Sequence, residues 1–379
     1  MFPISRFASS LLLALFLIFP THACNAGKDP QETPDPPSRQ TAAANGPEAE
    51  RQITDSRRNA ITRAIEAVSP AVVGINATRV QRRRDDLFYR MFFGERYAMM
   101  PVLGSGYIIS SDGYVLTNDH VAGNAEDISI TMTNREKIPA RLVGSDPVTD
   151  IALLRLETDQ ELPYIELGNS DDVIVGEWSI AFGNPFGLMS TGARATVTVG
   201  VISATHVTLE ETDGRIYRDM IQTDAAINSG NSGGPLVNSL GQVIAMNTVI
   251  FSPNQGNVGL GFAIPINRVR KIVEILKKEG KVNREFVPGF RVQQVNDAIA
   301  QAYGLDRAEG VIVTQITSSR GVAARSGLEV ADIILTANGE PVYSIGVLEG
   351  LIRYSLRGEV IELDVLRNNK TRTIKMKLE

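Results

Sequence analysis

Three residues of this chain could do chemistry together: a serine set among glycines, one histidine at a strand end, and one acid opening an apolar run. The serine is Ser232, in Asp224-Ala225-Ala226-Ile227-Asn228-Ser229-Gly230-Asn231-Ser232-Gly233-Gly234-Pro235. Flanking glycines let the backbone turn tightly and aim consecutive N–H groups at one point, where an oxyanion could sit. The expected donors are the N–H groups of Gly230 and Ser232, with Asn231 between them. A serine hydroxyl is a weak nucleophile until a histidine takes its proton and an acid orients that histidine.

The chain has only three histidines. His22 lies in the N-terminal leader, and His206 precedes the charged loop Glu210-Glu211-Thr212-Asp213-Gly214 and reads as a surface residue. His120 ends Tyr114-Val115-Leu116-Thr117-Asn118-Asp119-His120, a short apolar strand running into a polar corner, which suits a base that is fixed yet reachable. The acid is Asp150, which opens Ile151-Ala152-Leu153-Leu154-Arg155-Leu156. Asp119 is nearer in sequence, but neighbours on an extended chain face opposite sides, so it reads as a turn or surface acid. The residues from Gly230 to Gly234 also fit the G-x-S-x-G pattern of α/β-hydrolases, in which the histidine follows the serine; no histidine follows Ser232. The order His120, Asp150, Ser232 is that of the chymotrypsin-type double barrel. No metal site or cofactor is expected.

Val115-Leu116-Thr117-Asn118-Asp119-His120-Val121, Thr149-Asp150-Ile151-Ala152-Leu153-Leu154 and Gly230-Asn231-Ser232-Gly233-Gly234-Pro235 resemble the signatures of the HtrA/Deg serine proteases. The resemblance extends through Ala181-Phe182-Gly183-Asn184-Pro185-Phe186-Gly187 and Gly259-Leu260-Gly261-Phe262-Ala263-Ile264-Pro265, and covers most of the chain from about Ile61 onward. It implies a serine endopeptidase of the bacterial periplasm or cell envelope, acting on unfolded or misfolded polypeptides and assembled as a homotrimer. Two other functions stay open: a regulatory protease that cuts one signalling substrate when a peptide activates it, and a chaperone-like binder with a resting triad.

The elements that must position these residues follow from composition. The 379 residues carry a formal net charge of -5, too mild to argue a nucleic-acid partner. Arg82-Arg83-Arg84 is followed at once by Asp85-Asp86 and reads as a solvated loop. Residues 1–26 read as an export signal: Arg6 starts it, and Leu11 to Phe19 is too short an apolar core to span a bilayer. Cys24, the only cysteine, is either a lipid-bearing residue after Ala23, giving a membrane tether, or one lost or left free by ordinary cleavage nearby. Residues 27–52 are rich in Pro, Ala, Glu, Gln and Asn and read as a disordered linker.

Residues 53–282 read as a protease domain. Ile61, Ile65 and Val68 recur at helical spacing, and from Ala71 to Pro265 short β runs alternate with Gly/Asp turns, predicting an all-β domain of two packed six-stranded barrels. The clustered aromatics of Leu87–Phe93 are too apolar for a free loop and are expected to contact a neighbouring subunit. In trypsin-type enzymes an acid six residues before the nucleophile selects basic side chains; here that position is Ala226. By the resemblance, Ile227, Ile250 and Phe251 line a specificity pocket for small or medium aliphatic residues; each could equally be barrel core. Ile266 to Leu276 predicts a helix, with Gly280 as its stop.

Residues 283–379 read as a small α/β module similar to a PDZ domain, with strands near 310–316, 332–339 and 360–365 and a helix over 345–354. Such domains add a peptide to a sheet edge and hold its C-terminal carboxylate in a loop of N–H groups. Pro288-Gly289-Phe290-Arg291-Val292 occupies that loop by position. Pro288 stands where an aliphatic residue is usual and removes one N–H, which would weaken carboxylate capture. Ala331 replaces the usual glycine before Asp332.

Overall fold

The computed structural model describes residue 51 and residues 54–82, 97–184, 195–228, 230–250 and 259–379. The expectations for the export signal, Cys24, the linker before residue 51, the aromatic segment Leu87–Phe93 and Phe251 lie outside the described residues. Among the described residues, no helix is long and apolar enough to cross a membrane.

Two closed antiparallel barrels carry the candidate residues. The first contains β1 (Val72–Arg82), β2 (Tyr97–Ile108), β3 (Tyr114–Thr117), β4 (Asp127–Thr131), β5 (Lys137–Asp146) and β6 (Ile151–Leu156), closing in the order β1-β2-β3-β6-β5-β4. The second contains β7 (Trp178–Gly183), β8 (Thr196–Val207), β9 (Met220–Thr223), β10 (Pro235–Val237), β11 (Val243–Ile250) and β12 (Gly261–Pro265), closing as β10-β11-β12-β9-β8-β7. Counted from the first strand of each, the two orders are the same, so the second barrel repeats the first. Closure leaves no unpaired strand edge, and the strands fill the interior with their apolar faces. In β6, four successive residues from Ile151 to Leu154 have no exposed surface. β6 pairs with β3 and β5, which fixes Asp150 beside the end of β3, where His120 follows.

Helix α1 (Ala60–Val68) buries Ala64 and Val68 beside Gly241, in the turn between β10 and β11 of the second barrel, and Asn59 caps it by accepting from Thr62 N at 3.0 Å. A single turn, α2 (Asp119–Ala122), follows β3 directly. The helix predicted after Pro265 is α3 (Ile266–Glu279), burying Ile266, Val269, Ile272, Val273 and Leu276 and ending at Gly280 with φ 73°.

The C-terminal sheet contains β13 (Phe290–Gln294), β14 (Val311–Ile316), β15 (Ile333–Ala337), β16 (Glu340–Pro341), β17 (Val360–Arg367) and β18 (Lys370–Lys377). Its strand order is β13-β14-β15-β17-β18, with β16 paired to β15. Helices α4 (Asp297–Tyr303), α5 (Val322–Arg325) and α6 (Ile345–Tyr354) accompany it. The core is Val311, Val313, Ile334, Leu348, Leu351, Ile361, Leu363, Val365 and their neighbours. β13 lies at the sheet edge and is entered through Pro288-Gly289: Gly289 has φ 87°, its carbonyl accepts from Thr317 N at 2.9 Å, and the Pro288 carbonyl accepts from Ala323 N at 3.1 Å. Ala331 has a left-handed φ of 73°, the region that favours glycine.

Barrels and sheet belong to one unit, Thr54–Glu379. Arg284, in the segment joining them, donates to the Tyr354 and Ser355 carbonyls at 2.6 and 2.8 Å and pairs with the buried Asp146 at the end of β5. Arg268 of α3 stacks 4.1 Å over the Tyr354 ring and reaches Glu359 at 3.2 Å.

Candidate active site

His120 stands in α2, held to the end of β3, and its side chain is about one-third exposed (32%). Asp150 is fully buried at the end of the turn from β5 into β6. Its φ of 60° is left-handed, a conformation that aspartate tolerates better than most residues but that still costs of order 1 kcal/mol. Two bonds hold that turn: Thr149 Oγ1 donates to Asp146, and Asn118 Nδ2 donates to the Asp150 carbonyl at 2.9 Å. The Asp150 carboxylate then grips His120 twice. Oδ1 accepts the His120 backbone N–H at 2.9 Å, and Oδ2 lies 2.8 Å from ring Nδ1. This contact fixes the ring and leaves Nε2 for a second partner.

Three further donors reach the same carboxylate. Thr248 Oγ1 donates to Oδ2 at 2.8 Å, Tyr217 Oη to Oδ2 at 3.3 Å and Arg215 Nε to Oδ1 at 3.2 Å. Burial alone would push the Asp150 carboxyl up; bonds from His120 and Thr248 outweigh it and hold the carboxyl below its ordinary range. Burial also pushes the Tyr217 hydroxyl up, so it remains a neutral donor. Arg215, Tyr217 and Thr248 carried no local sequence signal, because each reaches Asp150 from 65 to 98 residues away.

Ser232 belongs to the turn from Gly230 to Gly234. Ser105 of β2 anchors that turn to the first barrel: Ser105 N donates to the Ser232 carbonyl at 3.0 Å, and Ser105 Oγ to the Gly230 carbonyl at 2.6 Å. Gly233 requires its glycine. Its φ is 83°, and a Cβ there would meet the Ser105 carbonyl at 2.3 Å and Thr117 Oγ1 at 2.4 Å. The Ser232 hydroxyl donates to the Thr248 carbonyl at 3.1 Å, so Thr248 touches serine and acid with two different groups. The Asn231 N–H, expected beside the oxyanion donors, is directed instead to the Asn228 carbonyl at 2.8 Å. The turn's own bonding takes that donor, and Asn231 spaces Gly230 from Ser232.

Asp119 corrects the reading of the sequence. It is buried, not a surface acid, because the chain turns into α2 immediately after Asn118 and the alternation of an extended strand no longer applies. Burial raises its carboxyl above the ordinary range, and the Asp150 charge adds to the rise. His206 is exposed and pairs with Asp219 at 2.5 Å. Ile227 is buried among Ala181, Ile202, Ile221 and Leu236, in the core of the second barrel. Ile250 ends β11, and its side chain lies outside the described residues. Among the described residues, no group of His, Cys, Asp and Glu could hold a metal ion.

Two six-stranded barrels with a serine, a histidine and a buried acid where their strand ends meet, joined to a PDZ-like sheet, define a trypsin-like serine peptidase carrying a PDZ domain. A trypsin-like peptidase domain model matches residues 104–246, and a PDZ domain model matches residues 288–378. A probable periplasmic serine endoprotease, DegP-like, of Pseudomonas putida (strain GB-1) is 41% identical over 337 residues, spanning 83% of this chain and 68% of that protein. A protein of the same description from Halomonas elongata is 38% identical, over 83% of this chain and 69% of its own. Among solved structures, the HtrA-type protease AlgW with decapeptide superposes with TM-score 0.61 at 34% identity, covering 84% of this chain and 98% of its own. The serine endoprotease from Yersinia pestis gives 0.52 at 33%, covering 84% and 97%. The chain belongs to the HtrA/DegP-like family of serine endoproteases.

Proposed function

We propose that this endoprotease cleaves unfolded or misfolded polypeptides in the bacterial periplasm or cell envelope, with Ser232, His120 and Asp150 as its catalytic residues. The observation that carries the reading is the double contact of Asp150 with the His120 backbone and ring, at 2.9 and 2.8 Å, beside a serine set on a glycine turn. Ser232 Oγ rotates from the Thr248 carbonyl to His120 Nε2 and attacks the scissile carbonyl. His120 takes the serine proton and returns it to the leaving amine, while Asp150 fixes the ring and stabilises its charged form. The Gly230 and Ser232 N–H groups receive the oxyanion; losing one such donor costs on the order of 100-fold in rate.

The domains divide at about residue 282, and the PDZ domain takes C-terminal peptides along β13, with Pro288 to Val292 at the carboxylate. A pocket including Ile250 and Phe251 accepts aliphatic side chains, Ile227 backing it from the barrel core, and three copies assemble through their protease domains. The test is degradation of denatured casein by the full chain beside Ser232→Ala. Cleavage that survives the substitution refutes the triad. Absence of cleavage by either protein removes the general-degradation reading.

A second reading has one observation in its favour: the Ser232 hydroxyl rests on the Thr248 carbonyl. A regulatory protease would wait in that arrangement until a peptide reached its PDZ domain. Cleavage of a single substrate only after a C-terminal peptide is added distinguishes it.

A further inference from the structure

Asp150 and Asp119 form a pair of buried carboxylates served by one side chain from a distant loop. Arg215 lies between β8 and β9, and its side chain is 21% exposed. Its backbone closes a two-bond turn with Thr212, at 2.9 and 3.2 Å, and the next residue, Ile216, donates to the Val148 carbonyl at 2.8 Å, two residues before Asp150. The guanidinium is thereby fixed against the turn that presents the acid. Nε reaches Asp150 Oδ1 at 3.2 Å, and a terminal nitrogen lies 3.7 Å from Asp119 Oδ2. Asp119 is 3% exposed, and its other oxygen, Oδ1, has no hydrogen-bond partner among the described residues. That oxygen packs on the backbone of Gly123, where a Cβ would stand 1.8 Å away. From β1, Arg79 donates to the Asp119 and His120 carbonyls.

Among the described residues, the charged groups facing the His120–Asp150 contact are therefore Asp119, Arg79 and Arg215, with the neutral Tyr217 hydroxyl beside them. With both acids ionised, two carboxylates face two guanidinium groups before reaction, and His120 gains its positive charge inside that set. Arg215 sits on the same carboxylate that must stabilise the imidazolium, so its charge opposes protonation of His120. Asp119 draws on Arg215 from the other side and moderates that opposition.

We propose that Arg215 is a positioning residue of the triad, fixing the Asp150 carboxylate at 3.2 Å, and that its charge, drawn on by Asp119 from the other side, opposes the gain of a proton by the ring that Asp150 holds. The proposal rests on the reading of His120, Asp150 and Ser232 as the triad, and its test does not depend on activity. Ring protons of His120 are followed by NMR against pH in the full-length Ser232→Ala protein, with the resonance identified by its loss in His120→Gln. Arg215→Gln removes a positive charge, so the His120 titration midpoint is expected to rise by about one pH unit. Asp119→Asn removes a negative charge, and the midpoint is expected to fall. Arg215→Lys keeps the charge and is expected to stay near the starting value. Arg215→Gln and Asp119→Asn leaving the midpoint in place, or moving it in the same direction, would overturn the proposal. A purely structural role broadens resonances without opposite displacements, and the Asp119→Asn arm remains decisive if Arg215→Gln does not fold. In the active protein the acid limb of kcat/KM is expected to move with the same signs. Casein cleavage that survives Ser232→Ala refutes the triad, whereas unmoved NMR midpoints refute only the part given to Arg215.

Discussion

Gly233→Ala tests whether the nucleophile turn is held as tightly as its contacts indicate. A Cβ at 233 must retreat from 2.3 Å to at least 3.0 Å from the Ser105 carbonyl, a movement of about 0.7 Å. The turn has little freedom to make it. Gly233 N donates to the Asn247 carbonyl at 2.9 Å, and the neighbouring Ser232 carbonyl accepts from Ser105 N at 3.0 Å. The left-handed φ of 83° adds about 1–2 kcal/mol for any side chain, and the crowding about 1–3 kcal/mol more. The expected loss of stability is therefore about 2–5 kcal/mol by urea unfolding. Ser232 is the adjacent residue, so the displacement reaches its hydroxyl, and a misplacement approaching 1 Å costs on the order of 100-fold in rate. The rate of covalent labelling of Ser232 by a fluorophosphonate ester measures this without knowledge of the substrate. Gly241→Ala is the control: its φ is 80°, but its nearest neighbour lies at 3.7 Å, so only the backbone cost of about 1–2 kcal/mol applies and labelling is unchanged. A folded Gly233→Ala protein labelled within about threefold of the parent would refute the argument that glycine here sets the nucleophile.

Three other outcomes follow from the contacts. Ala331→Gly relieves a side chain held at φ 73° and is expected to raise the stability of the C-terminal sheet by about 1 kcal/mol, read as a higher urea midpoint. Asp146→Asn breaks the buried pair with Arg284 and is expected to cost about 3–5 kcal/mol, with faster hydrogen exchange at the end of α6, whose carbonyls Arg284 also holds; unchanged exchange there would remove the pair from the coupling of the two domains. The Asp150 carboxyl is held below its ordinary value, so its stabilising contribution is complete above the unfolded-state value near pH 4 and is lost as pH falls through the lower folded-state value. Asp119 has the opposite sign: raised by burial, it costs nothing below the unfolded-state value and costs most above its folded-state value. Asp119→Asn is accordingly expected to gain stability at neutral pH and little at pH 4 in urea titrations, whereas equal gains at both would contradict the assignment.

The sequence by itself determined the architecture and the short list of chemical groups. Alternating short runs bounded by Gly and Asp dictate closed β structure, and strands such as Tyr114–Thr117 and Ile151–Leu156 were legible to the residue because their apolar runs begin and end sharply. β18 was harder to read: every other residue or so of Lys370–Lys377 is basic, and only Ile374 and Met376 are buried. Three histidines, with only His120 and His206 outside the leader, left few ways to assemble a base for Ser232 in its glycine-rich run. The surroundings of the acid were decided by the tertiary structure alone. Asp119 became a buried charge because one helical turn replaced the extended chain, and Asn231 lost its free N–H because the turn bonds back on Asn228. Thr248, Tyr217 and Arg215 reach Asp150 only where β11 and the loop after β8 close over the first barrel. Residue patterns record which face of an element is apolar, whereas hydrogen bonds between polar groups distant in sequence depend on how barrels and loops meet.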